Sequence, residues 1–177
     1  MPTALDRQYA RLEHQRAGLL DRLASCGDAQ QAFQPRPECW SIAGVVQHLV
    51  LVEEAMVRYG RRQSEIRPAR VTVRSHLLGW MVVRALATDI RVQAPTRAVV
   101  PTGHIPLCDL VPRWIAARAD LLDYVEGLSP RPLRTAFFHP RTGWITAMAG
   151  LRFFEAHCGH HLRQIERIRA AERFPLG

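Results

Sequence analysis

The sequence predicts an all-α fold: a four-helix bundle with a long crossover between the second and third long helices. Three observations support this. Four long segments repeat apolar residues at spacings of three and four, residues 63–106 separate the second segment from the third, and no strand pattern exceeds three residues. The four segments are 3–25, one that begins at Ser41, 107–127 and 144–172. We expect the 177 residues to form one bundle domain, 1–177, because this length suffices to bury a core.

The first predicted helix carries its apolar stripe at Leu5, Tyr9, Leu12, Leu19 and Leu23. The glycine of Cys26-Gly27-Asp28 marks the stop, and a loop is predicted over 27–40. The second helix opens with Ser41 as N-cap. Its stripe contains one polar residue, His48, and runs through Val45, His48, Leu49, Val52, Ala55, Met56 and Tyr59. Gln47 and Glu54 are predicted to face away from the stripe.

The connection at 63–106 contains a shorter predicted helix, from Ser75 to Ala87, among extended stretches. The third long helix, 107–127, is predicted to turn six side chains inward: Val111, Trp114, Ile115, Leu121, Leu122 and Val125. Residues 128–143 contain Pro130, Pro132, Pro140 and Gly143, so a loop is predicted there.

The last predicted helix carries three histidines within five residues. His157 and His161 are four residues apart, so they share one helix face, and apolar residues cluster around that face. His160 is predicted to turn outward, toward Arg163 and Arg167.

Three inward histidines on two helices, His48, His157 and His161, predict a site for a divalent metal ion. Three imidazole ligands leave a coordination position open, as in catalytic rather than structural zinc sites. Gln164 lies one turn beyond His161 and could contact the site from outside the ligand shell. The alternative is that each histidine is an ordinary core residue that satisfies its hydrogen bonds separately.

Two arginines, Arg16 and Arg118, fall within the apolar stripes of the first and third helices. A guanidinium stays charged, so a position facing the core requires an anionic or hydrogen-bonding partner. Either arginine could pair with a carboxylate of a neighbouring helix or extend to a bundle end. The functional alternative is that they line the metal pocket and bind the carboxylates of a substrate.

Composition narrows the function classes. The net charge is +8 and every basic residue apart from histidine is arginine, but the arginines are spread along the chain without a nucleic-acid-binding motif. We therefore expect no nucleic-acid partner. No apolar run is long enough to cross a membrane, and the start has no basic-then-apolar signal pattern, so we expect no membrane partner and a cytoplasmic location. The four cysteines include no C-x-x-C pair, which argues against a cysteine zinc site.

Three segments together resemble one known family. Residues 40–49 fit the pattern W-S-x-x-x-x-x-x-H-L, residues 139–143 fit H-P-x-x-G, and residues 157–165 fit H-x-x-x-H-x-x-Q-I. These patterns are similar to those of DinB-like (YfiT-like) proteins, and they span most of the chain. We expect Trp40 to pack at the helix entrance and His139 to hold its turn by hydrogen bonding.

The resemblance implies a four-helix bundle and a divalent metal, nickel or zinc, held at the positions of His48, His157 and His161. It also implies a metal-dependent enzyme that transfers a low-molecular-weight thiol to an electrophile, and a homodimer. The other functional hypothesis is a non-catalytic bundle, in which the metal is structural and the surface binds a partner. Neither the residues nor the resemblance identifies further catalytic residues, the thiol or the electrophile.

Overall fold

The computed structural model describes residues 3–66, 70–88, 96–128 and 133–176. The described elements are, in chain order, α1 (Ala4–Leu23), α2 (Asp28–Ala32), α3 (Ile42–Ile66), α4 (Val73–Leu86), a 3₁₀ helix (Arg97–Val99), α5 (Leu107–Glu126), β1 (Thr135–His139), β2 (Gly143–Thr146) and α6 (Ala147–Arg169). Parts of the predicted connection, residues 67–69 and 89–95, lie outside the described residues, as do Pro130 and Pro132 of the predicted loop.

The four long helices α1, α3, α5 and α6 form the bundle, as predicted. Helix α3 packs against α5 and α6, and α1 packs against α6 and α5. Helix α4 belongs to the crossover between α3 and α5 and lies against α6. Within the described ranges, no helix combines the length and apolar character that crossing a lipid bilayer requires.

Local sequence explains where the site-bearing helices begin. Ser41 Oγ accepts a hydrogen bond from Gly44 N–H at 3.1 Å, which makes Ser41 the cap of α3 as predicted. Thr146 Oγ1 accepts from Ala149 N–H at 3.1 Å and so fixes the start of α6. Helix α6 therefore begins at Ala147, three residues later than predicted, because residues 143–146 belong to a strand.

A β-hairpin occupies the second half of the predicted loop at 128–143, and its second strand continues to Thr146. Strands β1 and β2 pair antiparallel, and Gly143 adopts a positive φ of 78° at the turn, a conformation that favours glycine. Phe137 of β1 packs so closely on Gly150 of α6 that a Cβ at position 150 would collide with its ring. This close approach holds the hairpin, and His139 at its end, against α6.

Three other details differ from the sequence prediction. A short helix, α2, lies within the predicted loop at 27–40. Two orientations are also wrong: Ile115, predicted to point inward, is 50% exposed, whereas Gln47, predicted to face away from the core, is buried.

Candidate metal centre

Three imidazoles meet where α3 lies beside α6. His48 of α3 and His157 and His161 of α6 are all buried, with exposed fractions of 3%, 8% and 6%. His157 Nε2 lies 3.2 Å from His48 Nε2 and 3.1 Å from His161 Nε2. One ring nitrogen from each residue falls within 4.8 Å of the other two, and within the described ranges no carboxylate or thiol joins this cluster.

The outward-facing ring nitrogens fix the tautomers of two of these histidines. His48 Nδ1 lies 2.6 Å from the carbonyl oxygen of Val99, which can only accept, so Nδ1 carries the proton. His161 Nδ1 lies 2.8 Å from Gln164 Oε1 and donates to it in the same way. In both neutral rings Nε2 therefore presents a lone pair toward the cluster. Orientation of each ring through its other nitrogen is characteristic of histidines that bind metals.

The protonation states of the three histidines are suited to binding a metal cation. Burial lowers the pKa of His161 to about 3, with the nearby charge of His48 as the next cause. Burial also lowers the pKa of His48 and, well below the usual 6.5, that of His157. The rings therefore stay neutral near pH 7, and a proton on His157 Nε2 can point at only one of its two neighbours. A divalent ion would accept all three lone pairs, and neutral imidazole is a preferred ligand of zinc and nickel.

A cavity of about 410 Å³ opens onto the cluster, and all three histidines form part of its wall. Aromatic rings surround the cluster: the Trp40 ring centroid lies 4.7 Å from that of His48, and Phe153 stacks on His157 at 5.3 Å. Trp40 thus packs at the entrance of α3, as expected, and also lines the cavity. This apolar surround limits water around the histidines while the cavity leaves one side of the cluster accessible.

His139 lies at the end of β1 and also lines the cavity. Its Nδ1 accepts a hydrogen bond from Arg141 N–H at 3.2 Å, so it holds the hairpin turn as expected. Burial, followed by the charge of Arg141, lowers the pKa of His139 to about 4, and the ring is therefore neutral near pH 7.

His160 differs from its predicted position. It was expected to face solvent, but only 6% of its surface is exposed and its ring centroid lies 5.2 Å from that of His161. Arg163 donates to the carbonyl oxygens of Leu86 and Thr88, so the end of α4 covers this face of α6. Burial and then the charges of Arg163 and Arg167 lower the pKa of His160, but its nitrogens are not among the three that converge.

The two inward arginines lie away from the cavity. Arg118 is 1% exposed and donates to both carboxylate oxygens of Glu53, at 2.6 and 2.7 Å, and to Glu13 at 3.2 Å. Arg16 pairs with Glu13 at 2.7 Å. Neither arginine lines the cavity. Arg118 pairs with carboxylates of neighbouring helices, as the first alternative predicted, whereas the carboxylate partner of Arg16 lies on its own helix. Glu53 is not among the residues predicted from the sequence, although its spacing, four residues after Leu49 and three before Met56, places it near the buried stripe of α3.

Comparison with known proteins agrees with this architecture. The DinB superfamily model matches residues 11–165. TT2238, described as a four-helix bundle protein, is 24% identical, with a TM-score of 0.60, over 93% of this chain and 99% of its own. YfiT from Bacillus subtilis, described as a probable metal-dependent hydrolase with an unusual four-helix bundle topology, is 17% identical, with a TM-score of 0.55, over 94% of this chain and 86% of its own.

At these identities the two solved structures establish a shared fold only, and no curated protein matches the chain significantly. The superfamily match, in contrast, extends over most of the sequence and includes all three clustered histidines. This chain therefore belongs to the DinB superfamily.

Proposed function

We propose that this protein is a divalent-metal-dependent enzyme that transfers a low-molecular-weight thiol to an electrophile, with His48, His157 and His161 as metal ligands. The observation that carries the proposal is the convergence of three neutral imidazoles on the wall of an accessible cavity. When bound, a nickel or zinc ion would lower the pKa of a thiol or water molecule in its open position.

The protein's own groups have separate roles in this proposal. Val99 and Gln164 orient two of the imidazoles, and Trp40 and Phe153 pack against the rings and exclude water from them. In the overall reaction the thiol sulfur forms a bond to the electrophilic carbon, and the leaving group departs with the proton that the thiol has lost. A dry, apolar site favours a large polarisable sulfur nucleophile over hydrated competitors.

Metal content is the first test. Protein purified without a histidine tag should contain one divalent ion per chain by elemental analysis. Replacing any of His48, His157 or His161 by alanine should remove most of this metal, because two imidazoles bind far more weakly than three. Wild-type protein that takes up no nickel, zinc or cobalt from metal-supplemented buffer would refute the proposed centre.

A thiol screen tests the transfer reaction. Metal-loaded protein should conjugate one of bacillithiol, mycothiol, glutathione and cysteine to a model electrophile, and metal-free protein should not. Conjugation that proceeds equally well after removal of the metal would exclude the proposed role for the site.

Spectroscopy tests whether the metal position is accessible. In cobalt-substituted protein, a small thiol should shift the visible spectrum, because three protein ligands leave room for an exogenous one. An unchanged spectrum at saturating thiol would favour a closed structural site, as in the non-catalytic hypothesis in which the bundle binds a partner.

Hydrolysis is the second candidate, since YfiT is described as a probable metal-dependent hydrolase. The same site would then activate water instead of a thiol. The two reactions give different products: thiol transfer yields a thioether or thioester, whereas hydrolysis in ¹⁸O-labelled water incorporates the label. Labelled product without thiol consumption would replace transfer by hydrolysis while retaining the metal site.

A homodimer and a cytoplasmic location remain predictions, as does the absence of a nucleic-acid partner. Helix α4 supports the first, because it exposes four large apolar side chains, Val73, Leu77, Trp80 and Met81. Sedimentation should therefore give twice the chain mass, and a Trp80→Glu variant should sediment as a monomer. A wild-type monomer at high concentration would contradict this expectation.

A further inference from the structure

The cavity follows one face of α3 for three helical turns. His48, Val52, Ala55 and Tyr59, at spacings of four, three and four, all line it. Tyr59 is eleven residues beyond His48, which corresponds to about 16 Å along the helix axis. The cavity is therefore elongated, with the histidine cluster toward one end and Tyr59 toward the other.

The walls between these two ends are apolar. Helix α4 contributes Val82, Ala85 and Leu86 to the lining, and on α3 the small side chain of Ala55 lies between His48 and Tyr59. Apart from the histidines and Trp40, the polar lining residues in the described part of the chain are Tyr59, Thr96 and Arg141, and all three are exposed. A polar group in the middle of a ligand would lose its hydration there without gaining a described partner, which is unfavourable.

Tyr59 and Phe138 line the end of the cavity far from the histidine cluster, and Trp144 packs beside them. The ring centroids of Tyr59 and Phe138 are 5.1 Å apart, and Trp144 lies 5.5 Å from Phe138 and 5.9 Å from Tyr59. Tyr59 is nevertheless 49% exposed, although it is a large ring packed beside two others. This aromatic end offers ring faces that an apolar group can cover, with the phenol left at the rim.

We propose that the substrate of this site is an elongated molecule with an uncharged apolar body, whose reactive group meets the histidine cluster and whose tail packs on Tyr59 and Phe138. The reaction at the histidines rests on the proposed function, whereas binding of the apolar body rests only on the cavity. Ligand sites that are mainly apolar, with a few polar groups at one point, bind the body by area and fix its orientation at that point.

Linear 1-alkanols from butanol to decanol test the binding of the body without any thiol or electrophile. The alkanols are titrated by calorimetry into metal-free and metal-loaded protein. Each added methylene should lower the Kd about fourfold, the effect of burying one methylene group. A Kd that does not change with chain length would overturn the proposal.

Variants identify the cavity in which the alkanols bind. Ala55→Phe fills the middle, so it should weaken decanol at least tenfold and butanol much less; Ala119→Phe, on the exposed face of α5, is the matched control. A second cavity of about 360 Å³ is lined by Ala149, and Ala149→Phe should leave the affinities unchanged. Weakening by Ala149→Phe instead of Ala55→Phe would show that the alkanols bind in the second cavity and would overturn the proposal.

A second, milder variant tests the proposal even if Ala55→Phe does not fold well. Tyr59→Ala should weaken the longest alkanols threefold or more and leave butanol unaffected, because only long chains reach that end of the cavity. Equal weakening of short and long alkanols would contradict the proposed orientation. If alkanols bind as expected but no thiol is transferred, the proposed function fails and the substrate class stands. If a thiol is transferred but alkanol affinity does not depend on chain length, the proposed function stands and the substrate class fails.

Discussion

The molecule contains two buried polar clusters that differ in charge balance. The ion-pair cluster, Arg118 with Glu53 and Glu13, joins α5 to α3 and α1, and each buried charge meets an opposite one. The histidine cluster, His48 with His157 and His161, joins α3 to α6 and presents more inward lone pairs than protons. The charges of the ion-pair cluster are balanced within the protein. The inward lone pairs of the histidine cluster would instead be balanced by a bound cation.

This difference separates a structural cluster from a candidate site better than burial does. Arg118 is 1% exposed, less than any of the three histidines, and burial alone would lower its pKa. The charge and hydrogen bonds of Glu53, followed by the charge of Glu13, outweigh this and raise the pKa. The pKa values of the three histidines are lowered, and their neighbours are one another. Of the two clusters, the histidine cluster lines the 410 Å³ cavity and the ion-pair cluster does not.

The largest effect is expected from breaking the ion-pair cluster. Glu53→Ala should lower the free energy of unfolding by about 3–5 kcal/mol, because it leaves the buried Arg118 guanidinium without its main partner. Urea denaturation measures this loss. The double variant Glu53→Leu/Arg118→Met, which removes both charges, should regain most of the stability. Equal losses in the single and double variants would show that packing rather than charge pairing dominates.

The next largest effect concerns the metal and the histidine cluster. At a free metal concentration of about 100 times its Kd, binding should raise the free energy of unfolding by about 2.7 kcal/mol. His157→Ala should abolish this increment, as measured by urea denaturation with and without zinc. His160→Ala, a change one turn away on the same helix, should retain it. If His160→Ala loses the increment and His157→Ala keeps it, the assignment of the ligands is wrong.

A smaller effect is expected from pH, on the free energy of unfolding of the metal-free protein. The pKa of His161 is about 3 in the folded protein and near 6.5 in the unfolded chain, so between these values the unfolded chain binds more protons. Stability contributed by the neutral ring is fully present above pH 6.5 and is lost as pH falls, by about 1.4 kcal/mol per pH unit for this residue. His161→Phe should flatten the pH profile of unfolding between pH 6.5 and 5, and an unchanged slope would contradict the shifted pKa.

The smallest effect is expected at Arg16. Its partner Glu13 is three residues away on the same helix and partly exposed, so Arg16→Met should cost at most about 0.5 kcal/mol. Metal content and thiol affinity should remain at wild-type values, because Arg16 does not line the cavity. A tenfold loss of thiol affinity with unchanged metal content would restore the hypothesis that this arginine binds a substrate carboxylate.

The sequence alone predicted the features that depend on helix periodicity. The spacing of four between His157 and His161 placed both rings on one face, and the stripe through Val45, His48 and Val52 turned His48 inward. Gln164, three residues after His161, was close enough to contact it for the same reason, and Oε1 lies 2.8 Å from Nδ1. Ser41 was identified as a helix cap because capping is a local interaction.

Tertiary structure alone decided which distant residues meet. Only the packing of α4 on α6 buried His160, and only the adjacency of α3 and α5 paired Glu53 with Arg118, residues 65 apart in the chain. The hairpin was not predicted because its strands are short. Its position depends on the contact between Phe137 and Gly150. The long apolar cavity also requires α3, α4 and β1 to face one another. Local sequence determines which face a side chain occupies along a helix, whereas its burial and partners depend on contacts between residues far apart in the chain.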